Sequence, residues 1–394
     1  MKKVLITVGG YSEIPLIKAL HSMGYYVISV GNNEESLGHQ YSDKYIKGDF
    51  SDKELIFNIA KDEQVDGIVS GCNDFATLSS AYAAEKLGLP GHDTYENAQI
   101  IHHKDKFMKL AHEVGISVPV TYDCYSFDDC KMAADKLGFP VILKPIDLTG
   151  GKGVKVCNSI EELENAYNDA LSRTRQDSVV VEEYVVGENH GAAMLVKNNK
   201  VVFCFVDNEE YYINKYMVSG TCYPSTVTEE AKAKLINDVE AIFKAKNLAD
   251  GVFHTQFIIN KQGVPVIIDP CRRAAGMLYC YLVQYSTEVD YAKELVKASI
   301  GLELQDCYEL KNHNIAHLCV MTDSNGIYKG IKVDDELKKY VFDSMVFAKE
   351  NEVIDDYLTY KAGILFFECE EKEKMYDLFN RFHSLAKIKA SKII

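Results

Sequence analysis

The sequence predicts a protein of mixed fold class, α/β in its first part and α+β in the remainder, with two or three domains. Residues 1–100 alternate strand-like and helix-like segments, which is typical of a parallel sheet with right-handed crossovers. Residues 139–156 (FPVILKPIDLTGGKGVKV) indicate two strands joined by a glycine-rich turn, and residues 251–276 indicate an antiparallel pair. With 394 residues the chain is long enough for more than one hydrophobic core.

The elements of the N-terminal region follow from the spacing of apolar residues. Residues 3–8 form a short, largely apolar run typical of a strand. Ile14, Ile17 and Leu20 fall on one face of a helix predicted over residues 13–23. The same criteria predict the other elements of this region: strands at 26–30 and 67–70, and helices at 53–61 and 75–87.

Open parallel sheets bind ligands at the carboxyl ends of their strands, so the residues that follow these strands are candidates for substrate binding. Turn formation and helix capping are equally good explanations for each of them. The third glycine of the dinucleotide fingerprint is missing after the first strand, so NAD binding is not indicated. The candidates are Gly10, Ser12, Glu13, Asn73 and Asp74.

The composition argues against several classes of function. The formal net charge is −15, whereas binding to nucleic acid or to an anionic membrane requires a basic surface. No run approaches 18 apolar residues, and the eleven cysteines show neither a CxxC pair nor zinc-type spacing. The first apolar run is too short for a signal peptide, so a cytoplasmic location with reduced thiols is expected.

The glycine-rich turn is the strongest indication of a binding site. Glycines leave few side chains over a loop, so backbone N–H groups can approach phosphate oxygens closely. Lys144 ends the first strand of the hairpin and Lys152 lies within the turn, so both are candidate phosphate ligands. The spacing differs from a Walker loop, and no helix follows directly. A solvent-exposed hairpin is the structural alternative for this stretch alone.

The rest of the chain adds further elements. Residues 179–190 (VVVEEYVVGENH) indicate a strand followed by an acidic segment and a glycine turn. In residues 251–276, Gln256 and Asp269 are expected to face one another across two antiparallel strands, where their oxygens could hold Mg²⁺ beside phosphates. The remaining predicted elements are helices at 103–115, 128–137, 160–173, 229–246 and 371–387, and strands at 317–321, 327–333 and 360–367. Ser159 is the predicted N-cap of the helix at 160–173.

Four motifs occur in order: a helix containing DK, a lysine before a glycine loop, an EEY segment, and a strand with an acid followed by arginine. Together they resemble the ATP-grasp superfamily, of the carboxylate–amine ligase and biotin carboxylase type. The resemblance implies an N-terminal pre-ATP-grasp domain (1–100), a central ATP-grasp domain (101–304) with a mobile lid at about 120–186, and a small α+β C-terminal domain (305–394).

The resemblance also implies how ATP is bound. Two lysines would bind its phosphates, and the glycine loop would close over them. The acidic segment would contact the adenine, and either Glu188 or His190 would contact the ribose. The implied residues are Lys106, Lys144, Thr149, Gly150, Gly151, Lys152, Gly153, Glu182, Glu183, the backbone of Val185, Glu188 and His190.

The catalytic and metal positions match the family only in part. Arg273 corresponds to the arginine that stabilises an acyl phosphate, and Arg272 is the alternative for that role or for a substrate carboxylate. Gln256 and Asp269 stand where glutamates are usual, and Cys271 where an asparagine is usual. The resemblance therefore implies a weaker or single Mg²⁺ site, with Mn²⁺ as an alternative. Cys271 is better explained as a small buried filler than as a nucleophile.

These observations predict an ATP-dependent ligase that activates a small carboxylate as an acyl phosphate and joins it to an amine. The expected partners are small molecules, and a homodimer is expected by analogy with the family. Two alternatives remain open at this stage: carboxylation or formyl transfer with bicarbonate or formate, and a nucleotide-binding protein without turnover. The identity of the acid and of the amine does not follow from the sequence.

Overall fold

The computed structural model describes residues 1–148 and 151–391. Its N-terminal part is a parallel sheet with helices packed against it, which confirms the predicted α/β region. Three of the four sheet strands are largely buried, as expected where helices cover a parallel sheet, and the edge strand Lys44–Lys47 is more exposed. The elements are β1 (Lys3–Thr7), α1 (Ile14–Ser22), β2 (Tyr26–Gly31), β3 (Lys44–Lys47), α2 (Lys53–Asp62), β4 (Gly67–Ser70), α3 (Asp74–Leu87), α4 (Tyr95–His102) and α5 (Lys104–Val114).

The strand order of this sheet is β3-β2-β1-β4, with all pairs parallel. The beginning of α3 lies beyond the end of β4. Asn73 caps α3, because its side-chain oxygen accepts hydrogen bonds from the Phe75 and Ala76 amides. This cap fixes Asp74 in the first turn of the helix, where it points away from the sheet toward the rest of the chain.

A small antiparallel sheet with two packed helices follows. Its strand order is β5-β8-β6-β7, so the two strands of the glycine hairpin, β6 and β7, lie side by side at one edge. Ser126 and Ser159 cap the helices, as the sequence predicts for Ser159. The elements are β5 (Thr121–Cys124), α6 (Phe127–Leu137), β6 (Val141–Pro145), β7 (Lys155–Cys157), α7 (Ile160–Arg173) and β8 (Val179–Glu183).

The rest of the chain forms a larger antiparallel sheet, the helices that flank it, and a short outer sheet. The elements are β9 (Gly187–Lys197), β10 (Lys200–Glu210), β11 (Gly220–Tyr223), α8 (Glu229–Lys246), β12 (Gly251–Asn260), β13 (Pro265–Cys271), α9 (Tyr279–Thr287), α10 (Tyr291–Ser299), β14 (Asn314–Val320), β15 (Gly326–Val333), α11 (Asp335–Lys338), β16 (Val341–Val346), β17 (Val353–Ile354), β18 (Gly363–Cys369), α12 (Lys372–Leu385) and β19 (Ala386–Ser391).

The larger sheet runs in the order β13-β12-β9-β10-β11-β14-β18-β16, and the outer sheet in the order β17-β15-β19. The larger sheet therefore continues across residue 304, because β14 pairs with β11. As predicted, Gln256 lies opposite Asp269 in the β12–β13 register. Within the described residues, no helix is both long enough and apolar enough to cross a membrane.

Candidate active site

Two adjoining cavities lie beside the larger sheet. The hairpin cavity, of about 520 Å³, is bounded by the glycine hairpin, the segment after β8, and strands β12 and β13. The inner cavity, of about 270 Å³, extends from β12 and β13 toward β14 and the start of β18. Tyr216, Gln256 and Asp269 line both cavities and form the wall between them. A group held in one cavity can therefore meet a group held in the other at this shared wall.

The hairpin cavity contains a concentration of positive charge. Lys104, Lys144 and Lys215 line it, and they come from three separate segments of the chain. Lys144 contacts the Glu182 carboxylate at 2.6 Å, and Glu182 is fully buried. Apart from Lys144, neither Glu182 oxygen has a polar partner in the described part of the chain, so Lys144 is the charge that compensates its burial.

Lys104 occupies the place that the sequence assigns to Lys106, and this is a correction. Lys106 is exposed and absent from the cavity lining, whereas Lys104 is buried and its Nζ lies 3.4 Å from Asp269 Oδ1. Two residues along a helix are about 200° apart, so the two side chains point in nearly opposite directions. Burial lowers the pKa of Lys104, but the Asp269, Asp74 and Glu182 carboxylates outweigh that effect and raise it.

The glycine hairpin packs directly on the connection between β10 and β11. Gly151 has φ +73°, and a Cβ there would collide with the carbonyl of Tyr216. The Tyr216 hydroxyl also accepts a hydrogen bond from the Val156 amide at 2.9 Å. Lys152 is exposed and does not line the cavity, contrary to its predicted contact with phosphates. Gly153 packs against Pro145; Thr149 and Gly150 lie outside the described residues.

The segment predicted to bind adenine and ribose lies at the cavity, but in a different register. Glu182 is fully buried against Lys144 and does not line the cavity, contrary to its predicted contact with adenine. Glu183 is exposed, and its carboxylate accepts from the Val120 amide. Successive strand residues face opposite sides, which explains the separation. Val185 lines the cavity as predicted, together with its neighbours Tyr184, Val186, Gly187 and Asn189.

In the part of the chain that the structure describes, the two residues predicted to bind ribose do not line the hairpin cavity. Glu188 is exposed, and His190 is buried with its Nδ1 bonded to the Asp207 carbonyl. Asn189 lies between them in sequence and faces the cavity, because β9 alternates its side chains between two faces. Each of the two predicted residues is therefore one position away from Asn189, the residue that lines the cavity.

The shared wall provides oxygens suited to a magnesium ion. Asp269 offers a carboxylate, and Gln256 offers one amide oxygen, because its Nε2 donates to both Glu209 oxygens (3.0 and 2.9 Å) and to Tyr211. The described residues contain no cluster of three or more His, Cys, Asp or Glu that could hold a metal by themselves. Mg²⁺ takes few protein oxygens and several from phosphate and water, so this pair fits an ion held mainly by nucleotide phosphates.

Arg273 reaches the inner cavity from the end of β13 and is held by a residue of the N-terminal region. Its Nε and Nη2 donate to the two oxygens of Asp74 at 3.0 and 2.7 Å. Asp74 also accepts from His102 Nδ1 at 2.8 Å, while His102 Nε2 accepts from the Arg272 amide. Burial raises the pKa of Asp74, but Arg273 and His102 more than compensate and hold the pKa below its ordinary value.

Arg272 does not serve the catalytic role considered for it. Its Nε donates to Asp93 at 2.8 Å, and its other two nitrogens donate to the Val252 and Ala249 carbonyls. Its side chain is buried and lines neither cavity. A guanidinium whose donors are occupied in this way ties structural elements together instead of binding a substrate.

The other predicted site residues also have structural roles. Gly10, Ser12, Glu13 and Asn73 are absent from the lining of both cavities in the part of the chain described. Glu13 is buried and accepts from the Cys72 amide at 2.7 Å, which ties the loop after β1 to the loop after β4. Cys271 lines the inner cavity but is buried, and burial raises the pKa of its thiol to about 12. A thiol in that state is a poor nucleophile, which agrees with its assignment as filler.

Several lining residues were not foreseen: Lys104, Tyr184, Asn189, Glu209, Tyr211, Lys215, Tyr216, His254, His317 and Lys361. Lys104 had a usable signal, because it precedes the buried Phe107 and Met108 by three and four residues and so shares their helix face. The residues from the β10–β11 connection and from the C-terminal strands had none, since only the tertiary fold brings them to the wall.

Comparison with known proteins agrees with this architecture. Residues 137–280 match the family model of the ATP-grasp domain. The chain is 23% identical over 303 residues to the carbamoyl phosphate synthase large chain of Clostridium botulinum, in 75% of this chain and 28% of that protein. It therefore spans little more than a quarter of the length of this curated relative.

Solved structures of ATP-grasp enzymes share the fold over nearly the whole chain. Phosphoribosylglycinamide synthetase of Anaerococcus prevotii superposes with a TM-score of 0.78 at 22% identity, covering 99% of this chain and 100% of that one. L-amino acid ligase of Bacillus licheniformis superposes with a TM-score of 0.83 at 16% identity, covering 100% of this chain and 99% of that one. The biotin carboxylase domain of Hydrogenobacter thermophilus 2-oxoglutarate carboxylase was solved with MgADP and bicarbonate. It superposes with a TM-score of 0.79 at 19% identity, covering 99% of this chain and 91% of that one.

Residues 137–280 thus match the ATP-grasp domain, and the fold of the whole chain is shared with these solved structures. The hairpin cavity lies between the glycine hairpin and strands β12 and β13, and all of its lining residues except Lys104 fall within the matched residues.

The positions of the two neighbouring lysines lead to a first prediction. Replacing Lys104 by Met should weaken binding of a non-hydrolysable ATP analogue by about tenfold to a hundredfold, since a hydrogen bond to a charged group contributes roughly 1.5–3 kcal/mol. Lys106→Met is the matched control and should bind within twofold of the unchanged protein. Calorimetric titration measures both; equal losses in the two variants would contradict the assignment.

The contact between the hairpin and Tyr216 leads to a second prediction. Tyr216→Phe removes the acceptor of the Val156 amide, so that amide should exchange with solvent roughly threefold to tenfold faster, as expected for one lost hydrogen bond. Tyr212→Phe, in the same connection, is the control. Hydrogen exchange measured by NMR or mass spectrometry would decide, and an unchanged rate at Val156 would rule out the contact.

The structural role of Arg272 leads to a third prediction. Arg272→Met leaves Asp93 buried without its cation and should reduce the free energy of unfolding by about 3–5 kcal/mol. Arg381→Met removes exposed ion pairs on α12 and should cost at most about 1 kcal/mol. Urea denaturation measures both changes. Nucleotide binding by the folded fraction of the Arg272 variant should be unchanged. A loss of nucleotide binding without a loss of stability would show that Arg272 contributes to the site.

Proposed function

We propose that the protein is an ADP-forming ligase that activates a small carboxylate as an acyl phosphate and joins it to an amine. The observation that carries this proposal is the meeting of two cavities at one wall. The lysine-rich hairpin cavity suits a nucleoside triphosphate. The inner cavity, which Arg273 lines, joins it at the wall formed by Tyr216, Gln256 and Asp269. The ATP-grasp domain supports the nucleotide, and relatives that join carboxylates to amines support the reaction class.

The nucleotide would lie in the hairpin cavity, with apolar contacts from Val185 and Val186 and polar contacts from Asn189. Lys104, Lys144 and Lys215 would neutralise its phosphates, and Asp269 with Gln256 would hold a magnesium ion that supplies further positive charge. Phosphoryl transfer requires little covalent chemistry from a protein, so positioning and charge stabilisation account for most of the catalysis.

The acid would enter from the inner cavity and attack the γ-phosphoryl group at the shared wall. Arg273 would stabilise the resulting acyl phosphate from that side, and Asp74 holds its guanidinium in place through both oxygens. The amine would then displace phosphate from the same side. Closure of the glycine hairpin onto Tyr216 would exclude water, which otherwise hydrolyses the intermediate.

An assay of acid-dependent ADP release tests the proposal. With ATP, Mg²⁺ and pooled carboxylates, hydroxylamine should trap the acyl phosphate as a hydroxamate identified by mass. A requirement for bicarbonate or formate would instead indicate carboxylation or formyl transfer, the chemistry suggested by the bicarbonate complex of one structural relative. Nucleotide binding with no ADP release for any acid, bicarbonate included, would contradict an enzymatic role.

The ion pair between Lys144 and Glu182 shapes the fourth prediction. Lys144→Met alone would leave Glu182 buried and uncompensated, so loss of activity could reflect unfolding. The double variant Lys144→Met/Glu182→Gln removes both charges and should fold, yet lose about a hundredfold or more of its ADP release. Lys155→Ala, an exposed residue of β7, is the control. Thermal melting verifies the fold, and full activity of the double variant would exclude Lys144 from the site.

A further inference from the structure

The connection between α7 and β8 carries an arginine that reaches the N-terminal region. The guanidinium carbon of Arg175 lies 4.3 Å from the centroid of the Phe75 ring, and its Nη1 donates to Ser51 Oγ at 3.2 Å. Phe75 belongs to the first turn of α3, and Ser51 to the segment between β3 and α2. A guanidinium over an aromatic ring gains a cation–π attraction in addition to its hydrogen bond. These interactions, which we call the Arg175 contact, join the small antiparallel sheet to the N-terminal parallel sheet.

The contacted residues lie at the edge of the parallel sheet where open sheets of this kind bind ligands. Ser51 follows β3 and Phe75 follows β4, so both lie beyond the carboxyl ends of their strands. Ser51 Oγ also donates to Asp49 Oδ1 at 2.8 Å. Burial raises the pKa of Asp49, but hydrogen bonds from Ser51 and Asn32 and the charge of Arg175 outweigh burial and lower it. Arg175 is therefore close enough to stabilise a carboxylate of the N-terminal region.

The backbone of the same connection is bonded to the segment that leads into the glycine-rich turn. The Arg175 amide donates to Asp147 Oδ2 at 3.0 Å, and the Thr174 hydroxyl donates to Asp147 Oδ1 at 2.5 Å. Asp147 is buried and follows β6 by two residues. The carbonyl of the next residue, Leu148, accepts from Lys104 Nζ at 2.9 Å. One buried carboxylate thus links Arg175 to a segment that contacts Lys104, a lining residue of the hairpin cavity.

The residue next to Phe75 connects this contact to the inner cavity. Asp74 precedes Phe75 and holds Arg273 through both carboxylate oxygens. Asp74 and Phe75 belong to the same turn of α3, whose first amides are capped by Asn73. A contact that fixes the Phe75 ring therefore also restricts the turn that positions Arg273.

We infer that Arg175 is a positioning residue that fastens the small antiparallel sheet, the predicted lid, to the N-terminal region. Nucleotide binding in the hairpin cavity then orders the first turn of α3, and with it the support of Arg273. The inference rests on the nucleotide-binding part of the proposed function and specifies how the two sides of the site are held together. It is independent of the identity of the acid and of the amine.

The strength of the Arg175 contact suits an interaction that forms and breaks in each catalytic cycle. Arg175 is exposed, and a cation–π contact at an exposed position is weak. A nucleotide must enter and leave a cavity that the glycine hairpin bounds on one side, so a strong contact would slow product release. Because coupling is reciprocal, a nucleotide that strengthens the Arg175 contact is itself released more slowly while the contact is intact.

Hydrogen exchange tests the coupling. In the unchanged protein, a non-hydrolysable ATP analogue should slow exchange about threefold or more in residues 49–52 and 73–77, two segments that do not line the hairpin cavity. Arg175→Met should remove most of this protection. Arg173→Met is the matched control and should keep it, because Arg173 pairs with Asp169 of its own helix. Protection that persists undiminished in the Arg175 variant, or that is absent from the unchanged protein, would overturn the inference.

Release of a fluorescent ATP analogue, measured by stopped flow, tests the contact itself. Arg175→Met should accelerate release about threefold to tenfold, and Arg173→Met should stay within twofold. Phe75→Leu should have a similar effect, and the double variant should be no faster than either single variant, because both substitutions break one contact. Arg175→Lys should release more slowly than Arg175→Met, since an ammonium group is also attracted to the ring face. Additive effects of the Arg175 and Phe75 substitutions would contradict the contact.

Failure of this inference and failure of the proposed function give different results. If the analogue binds and protects α3 but no acid supports ADP release, the ligase proposal is contradicted and the Arg175 contact is supported. If acid-dependent ADP release occurs without protection of α3, the contact is overturned and the ligase proposal stands. Absence of analogue binding would contradict both. Thermal melting should give similar Tm values for the Arg175 and Arg173 variants, which excludes unfolding as the cause of their difference.

Discussion

The bidentate ion pair between Arg273 and Asp74 is the interaction on which the geometry of the site depends. It joins the end of β13 to the first turn of α3, residues that are 199 positions apart in sequence. His102 extends the pair, because it donates to Asp74 from one ring nitrogen and accepts the Arg272 amide with the other. The position of the Arg273 side chain is thus fixed by the N-terminal region, and the inner cavity depends on that region for its shape.

The same pair explains why the two arginines differ although they are adjacent. Successive residues at the end of β13 point to opposite sides, so Arg272 turns toward Asp93 and the carbonyls near β12, and Arg273 turns toward the cavity. The Arg272 side chain is buried, the Arg273 side chain is half-buried, and both are paired. Only Arg273 keeps a cavity-facing surface, and this is the property that a transferred phosphoryl group or a substrate carboxylate requires.

Local sequence patterns predicted the parts of this protein that depend on neighbouring residues. The parallel N-terminal sheet, the cap at Ser159 and the Gln256–Asp269 register all follow from periodicity and turn chemistry over a few residues. The incorrect predictions near the hairpin cavity placed the functional side chain on the wrong face of a helix or strand. Lys106 instead of Lys104, and Glu188 or His190 instead of Asn189, differ from the observed lining residues by one or two positions, which is enough to reverse the direction of a side chain. Glu209 and Lys361 lay beyond prediction, because strand pairing across the larger sheet brings them to one cavity.

The glutamine at position 256 is best understood together with Glu209. A glutamate there would place another carboxylate beside Glu209 and Asp269 in a poorly solvated wall, and their mutual repulsion would be severe. The amide avoids this, because its Nε2 donates to Glu209 at 3.0 and 2.9 Å while its oxygen remains available to the nucleotide side. The departure from the family pattern therefore need not signal lost catalysis.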